Sequence, residues 1–480
     1  AFAIANLSDN PFLGQVKVFD KGPEKYGFSK EFTTGVARHF TVHEGIEIKS
    51  GAGAPLWDPV APLAMGTLLR IAPKASAMVW LELDTHGLAA GRHSAVLYVK
   101  KGNPGFETQK IPVEVEVVDA GLDSVRPDRT AYTYMTYAPQ NRNFTEFLVK
   151  ENFNMICLGA PGQGHLKIYN SYDKDGNLVP GDMAPLDRII DAHLAAGLEK
   201  ERVKLRFFFA FEGWRGPGNA GPRFGEKWNA ALKALLEQMY AHVEEKYGIT
   251  ADRIILYPVD EPSGDADDEK TKLGVAYRAG KIIRGFGPQY RLMTNPLPGI
   301  PEDKWRVAMT RLSECYDIIE FYRPGLTPAR VQFAKSLPIR DFWTYSIDGK
   351  ESGCGVYRSD YWENMRDGFC GITTYWQLDE MAGGDGFDSR DSTNGSTSYA
   401  DYGTVYTDRN MDGVVISRRQ VASDMGYEDM RLIMALRTKA KGDAALSAKV
   451  EAIVKKAADA RTMAAMDEGR AALLDLAREK

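Results

Sequence analysis

Arg253-Ile-Ile-Leu-Tyr-Pro-Val-Asp-Glu-Pro262 joins a β-branched and aromatic run to an abrupt carboxylate pair, Asp260 and Glu261, stopped by Pro262. The run reads as a buried parallel strand. In parallel α/β sheets, chemistry gathers beyond the carboxyl ends of the strands, which is where the pair falls. Two adjacent acids there are costly to desolvate unless something uses them. The plainer reading is a solvated loop start. A regular strand also points successive side chains to opposite faces, so the two acids can share a site only if the strand breaks. Pro262 encourages a break, because it restricts Glu261 and cannot continue the ladder.

Working outward, the pattern from residue 130 alternates strand and helix. Strand-like runs are 131–137, 154–158, 203–211, 253–259, 290–294, 317–322, 340–347 and 371–377, with helical stretches such as 185–197, 225–247, 269–285 and 301–315 between them. This predicts an α/β fold, a (β/α)8 TIM-like barrel over 130–437, with a doubly wound open sheet as the alternative. Residues 1–120 show short alternating runs separated by Gly, Pro and Asn turns. They predict an antiparallel, immunoglobulin-like β-sandwich. Residues 438–480 read as packing helices. Two long loops, 159–184 and 378–414, follow predicted strands. The acids of the second (Asp385, Asp388, Asp391) fit no calcium-loop spacing and read as solvated.

Composition sets limits. The 480 residues carry a net charge of −5 with no Lys/Arg block, which argues against a nucleic-acid partner. No apolar run is long enough to span a bilayer. Four cysteines and seven histidines make no HExxH or CxxC pattern, so no metal or cofactor is expected. The chain starts at Ala1 without Met, consistent with a secreted or periplasmic protein whose signal peptide is not visible.

In a barrel, residues at the carboxyl ends of the strands face one opening. They are Tyr137, Glu212, Trp214, Asp260, Glu261, Asn295, Glu320, Tyr322, Trp343, Tyr345, Asp348, Trp376, Gln377 and Asp379. Aromatic rings seat the C–H faces of sugars while acids and amides take the hydroxyls, so the mouth predicts a carbohydrate substrate. Glycoside cleavage needs a proton donor and a group to stabilise the cationic centre. Many retaining barrels take these from the fourth and seventh strands, yet the seventh here ends without a Glu. Asp348 or Glu320 could replace it. Asp260 suggests another solution, in which a 2-acetamido group of the substrate is the nucleophile and Asp260 orients its N–H. A non-catalytic glycan-binding protein remains a further reading.

An amino-terminal β-sandwich, a fourth strand ending in Asp260-Glu261-Pro262, and a late helix with Ser417-Arg-Arg and Gly426-Tyr-Glu-Asp429 resemble glycoside hydrolase family 123 and its uncharacterised relatives. The resemblance implies a retaining exo-β-N-acetylgalactosaminidase working by substrate assistance. It implies Glu261 as general acid/base and Asp260 as the group that polarises the acetamide. Trp376 and Tyr345 would then line the acetamido pocket.

Overall fold

The computed structural model describes residues 2–20, 35–51, 53, 55–63, 67–101, 108–133, 142–159, 168, 170–211, 221–297, 299–369, 373–378, 387–390, 397–407 and 414–479. Parallel strands form one curled seven-stranded sheet, in the order Met155–Leu158, Lys204–Phe208, Ile254–Tyr257, Arg291–Thr294, Ile318–Tyr322, Asp341–Tyr345 and Thr373–Thr374. At one edge Thr130 makes a parallel bridge to Met155. At the other, Trp376–Leu378 pairs in parallel with Tyr132–Thr133.

The strand Ile254–Tyr257 shows why these runs are continuous in apolar residues. Ile254 and Leu256 point outward into a core shared with Trp228, Leu232, Ala276 and Ile283 of the covering helices. Ile255 and Tyr257 point inward into a separate cluster with Met155, Met293, Ile318 and Trp343. Each of these side chains gains about 1.5–3 kcal/mol from full burial, so a polar residue on either face would be selected against.

Two antiparallel sheets accompany the parallel one. One, four-stranded, runs Leu69–Ile71, Phe12–Phe19, Gly91–Lys101 and Gln109–Val117. The other, six-stranded, runs Phe2–Ala5, Ser76–Leu83, Phe40–Lys49, Pro55–Pro62, Val414–Ser417 and Val405–Thr407. Val16, Val18, Val42, Leu69, Val79 and Leu97 form the core between them. The last two strands of the six come from far along the chain, Val405–Thr407 out of the stretch predicted as a loop and Val414–Ser417 from its end onward. The sheet is therefore not confined to residues 1–120.

This late hairpin leads directly into the helix Arg418–Lys439, capped by Ser417, whose hydroxyl accepts from the Gln420 N–H at 3.0 Å. Arg419 then reaches back to Asp58 on the strand Pro55–Pro62, with Nη2 2.9 Å from Oδ2. Both side chains are 1% exposed, and Tyr406 donates to the same oxygen at 2.6 Å. Nearby, the Ser389 N–H donates to the Lys49 carbonyl at 2.8 Å and the Gly51 N–H to Glu351 Oε1 at 2.7 Å.

The carboxyl-terminal helices Ala444–Ala460 and Met463–Arg478 pack on Gly355–Asp367 and Arg418–Lys439 through Trp362, Ile433, Val450, Val454 and Leu473. Gly469 is required there, since a Cβ would stand 2.9 Å from the Trp362 ring. Among the described residues no helix is long and apolar enough to cross a membrane.

Breaking a buried pair strands a charge, at a cost of about 3–5 kcal/mol. Asp58→Ala is expected to lower the unfolding free energy in urea by about that much. Lys49→Ala, which removes an exposed partner of Asp388, is expected to cost under about 1 kcal/mol.

Candidate active site

The strand Ile254–Tyr257 ends at Pro258, which has no N–H for the ladder. Its neighbour continues alongside, with the Phe209 N–H donating to the Tyr257 carbonyl at 2.8 Å and the Phe211 N–H to the Pro258 carbonyl at 2.9 Å. Three residues later the backbone turns sharply. Glu261 lies at φ +44°, in the left-handed region that non-glycine residues rarely enter. Its N–H donates to Asn295 Oδ1 at 2.8 Å, and Asn295 immediately follows the adjacent strand Arg291–Thr294.

That turn resolves the alternation problem. Asp260 Oδ1 accepts from the Tyr257 hydroxyl at 2.6 Å and from Asn295 Nδ2 at 3.3 Å. Glu261 Oε1 accepts from the Tyr345 hydroxyl at 2.7 Å. Asn295 thus holds the backbone of one acid and the side chain of the other. Lys272, the first residue of the helix Lys272–Phe286, donates to the Asp260 carbonyl at 3.0 Å. The Thr271 hydroxyl caps that helix by accepting from the Gly274 N–H at 3.1 Å.

The two acids have different surroundings. Burial lifts the Glu261 carboxyl above its ordinary value of 4.5, opposed by the Tyr345 hydrogen bond and Lys272 and reinforced by the Asp260 charge. Burial and the Glu261 charge push the Tyr345 phenol far up, so it stays a donor at any working pH. One carboxyl held ready to keep its proton, beside a second anchored by a phenol and an amide, is an arrangement suited to general acid chemistry next to a fixed dipole acceptor.

Neither a family model nor a curated protein matches the chain. Among solved structures it is similar to a family 123 glycoside hydrolase from Clostridium perfringens, described as acting in glycolipid glycan hydrolysis. The two share 11% identity at a TM-score of 0.72, over 99% of this chain and 92% of that one. The chain has the fold of a family 123 glycoside hydrolase. A family 39 glycoside hydrolase from Bacteroides cellulosilyticus (10% identity, TM-score 0.39, 81% and 77% of the two chains) and an endo-1,4-β-xylanase from Caldicellulosiruptor owensensis (12%, 0.39, 65% and 99%) are more distant.

Within this family 123 fold, the predicted residues are distributed unevenly. Asp260, Glu261, Asn295 and Tyr345 come together, with the Tyr322 ring 5.4 Å from that of Tyr345. Glu320 and Trp343 do not join them. Glu320 is fully buried, its Oε1 4.0 Å from Nη1 of the equally buried Arg206. Trp343 is 2% exposed among Met155, Ile255 and Tyr257. It pairs in register with Glu320, while Tyr345 pairs with Tyr322 one step nearer the opening. Both side chains, expected as substrate contacts, are buried in the floor below Tyr345. Tyr137, Glu212, Trp214, Asp379 and the side chains of Trp376 and Gln377 lie outside the described residues.

Sequence reasoning passed over Tyr257, though it stands three residues before Asp260 in the decisive stretch. It also passed over Asp360, on the helix Gly355–Asp367. Asp360 Oδ2 accepts from the Ser346 hydroxyl at 2.7 Å and the Tyr375 hydroxyl at 3.0 Å, and burial pushes the carboxyl up to about 7.

Because the Glu261 pKa is raised on folding, its favourable contribution is complete below 4.5 and is lost as pH rises through the folded value. Glu261→Gln cannot ionise and can still accept from Tyr345. Melting curves of the two proteins are expected to coincide near pH 4, and the Gln variant is expected to melt higher at pH 7.

Proposed function

We propose that the protein is a retaining exo-glycoside hydrolase that removes terminal β-linked N-acetylgalactosamine by substrate-assisted catalysis. The observation that carries this reading is the convergence of Asp260 and Glu261 on Asn295, with Tyr257 holding the first carboxylate and Tyr345 the second, beside the left-handed backbone at Glu261. The shared family 123 fold supports the glycosidase class. We also read the parallel sheet as a closed (β/α)8 barrel, supported by the Thr130–Met155 bridge and the pairing of Trp376–Leu378 with Tyr132–Thr133. On this reading the antiparallel sheets at 1–120 are an immunoglobulin-like sandwich and 438–480 a helical extension.

In the first step the acetamido carbonyl oxygen of the substrate bonds to the anomeric carbon as the glycosidic bond breaks. Glu261 gives its proton to the departing oxygen. Asp260 accepts a hydrogen bond from the acetamido N–H, whose positive charge grows as the oxazolinium ring closes. In the second step water attacks the anomeric carbon from the face the leaving group vacated. Glu261 takes its proton, the ring opens, and configuration is retained. Tyr345 and Trp376 are the proposed walls of the acetamido pocket, with Tyr137, Glu212, Trp214, Asn295 and Gln377 around the sugar.

A carboxylate nucleophile on a second strand is not needed on this scheme, in keeping with the burial of Glu320 beside Arg206. The raised pKa of Glu261 places the alkaline limb of kcat above 4.5, so activity is expected to fall as Glu261 ionises.

Aryl glycosides of GalNAc, GlcNAc, galactose and glucose provide the test. Only the 2-acetamido sugars should be cleaved, β-GalNAc best, and an oxazoline-mimicking thiazoline should inhibit. Glu261→Gln should lower kcat by about 10²–10⁴ with poor leaving groups and much less with activated ones. Asp260→Asn should lower kcat by about 10²–10³ with KM little changed. Undiminished turnover by Asp260→Asn would end the assisted mechanism.

A further inference from the structure

The loop after the strand Asp341–Tyr345 carries Asp348, a half-buried carboxylate whose surroundings are unlike those of its neighbours. Its backbone is held on both sides. The Tyr357 hydroxyl donates to the Asp348 carbonyl, and Arg419 Nη1 lies 3.4 Å from that hydroxyl. Arg419 is itself fixed by Asp58 and by the Gly403 carbonyl at 2.6 Å. One residue on, a Cβ at Gly349 would stand 2.8 Å from that of Ala400, and the Lys350 N–H donates to the Asp401 carbonyl at 2.6 Å.

Nearby carboxylates are all satisfied. Asp360 has Ser346 and Tyr375, Asp58 has Arg419 and Tyr406, and Glu363 has Arg323 at 2.6 Å and Arg461 at 2.6 Å. Among the described residues no donor reaches the carboxylate of Asp348. The two cations whose charge it feels, Arg461 and Arg419, are committed to Glu363 and Asp58. Folding thus fixes the backbone at this acid while its half-buried carboxylate takes no hydrogen bond from the described residues.

Its position gives this carboxylate a use. The half-buried Tyr322 feels the charges of Asp348 and of Glu261, and the Tyr322 ring contacts Tyr345, which holds Glu261. Asp348 lies three residues beyond Tyr345, in the loop at the carboxyl end of the strand from which Tyr345 reaches Glu261. A pyranose seated over those rings presents hydroxyl donors to it, and an O–H to a carboxylate is a charge-assisted hydrogen bond.

The geometry points to Asp348 as a specificity-determining residue that accepts a hydrogen bond from a ring hydroxyl of the sugar being cleaved. This assignment rests on the glycosidase reading above and differs from a role as nucleophile. Arg419 and Tyr357 are positioning residues for it.

The test is a cycle between protein and substrate, with an aryl β-GalNAc glycoside and its 4-deoxy, 6-deoxy and 3-deoxy analogues against wild type and Asp348→Ala. One analogue should fall about 10- to 100-fold in kcat/KM with wild type, yet match the parent sugar with Asp348→Ala. Asp348→Ala should melt no lower than wild type at pH 7, since no hydrogen bond to the carboxylate from the described residues is lost; Asp348→Asn serves as the isosteric second variant. Deoxy penalties that persist unchanged in both variants overturn the assignment. So does azide rescue of Asp348→Ala with release of a glycosyl azide of inverted configuration, which would make Asp348 a nucleophile. If wild type cleaves no glycoside, the hydrolase reading fails on its own, and calorimetric titration of free GalNAc and its deoxy forms carries the same cycle. Absence of any binding there overturns the Asp348 assignment too.

Discussion

The left-handed backbone at Glu261 is the constraint on which the site depends. An L-residue there costs roughly 1–2 kcal/mol relative to ordinary backbone, and glycine would relieve that strain. Glycine carries no carboxylate, so the position keeps Glu and the surroundings hold it. Asn295 does this with both ends of its amide, one to the Glu261 N–H and one to Asp260. It can do so only because Ile255 stands opposite Arg291 and Leu256 opposite Leu292. A slip of one residue in that register would turn Asn295 to the other face of the sheet.

A second constraint ties the antiparallel sheets to the face where the site lies. Val405–Thr407 and Val414–Ser417 complete the six-stranded sheet, and the helix that follows returns Arg419 to Asp58. The same guanidinium holds the Gly403 carbonyl and approaches the Tyr357 hydroxyl, which holds Asp348. A buried ion pair stabilises little compared with apolar packing, but its geometry is strict, so it fixes how the two bodies of structure meet. The amino-terminal sheets are in that sense part of the frame of the site.

Legibility varied with the kind of burial. The strand Ile254–Tyr257 was readable because both of its faces meet apolar cores, leaving an unbroken apolar run. The helix Gly355–Asp367 was not, because it buries Arg358, Ser359, Asp360, Glu363 and Asn364 as well as Tyr357, Tyr361 and Trp362, and so shows no apolar stripe. The strands at 405–407 and 414–417 are too short, and too close to Gly- and Asp-rich chain, to show a period. Trp343 and Tyr345 share a strand, a face and an aromatic character. Two residues, about 6.6 Å of rise, put one in the floor and the other against Glu261.

From the residues alone came the parallel strand, the carboxylate pair at its end and the alternation of strand and helix, because local period and side-chain chemistry are written in consecutive positions; the likeness to family 123 came as a resemblance in motifs such as Asp260-Glu261-Pro262. Only the tertiary structure decided that Asn295 meets both acids while Tyr345 meets Glu261, that Glu320 is buried near Arg206, and that among the described residues no donor reaches the Asp348 carboxylate. Each of those depends on contacts between segments tens to hundreds of residues apart, whose register and depth no single stretch of chain encodes.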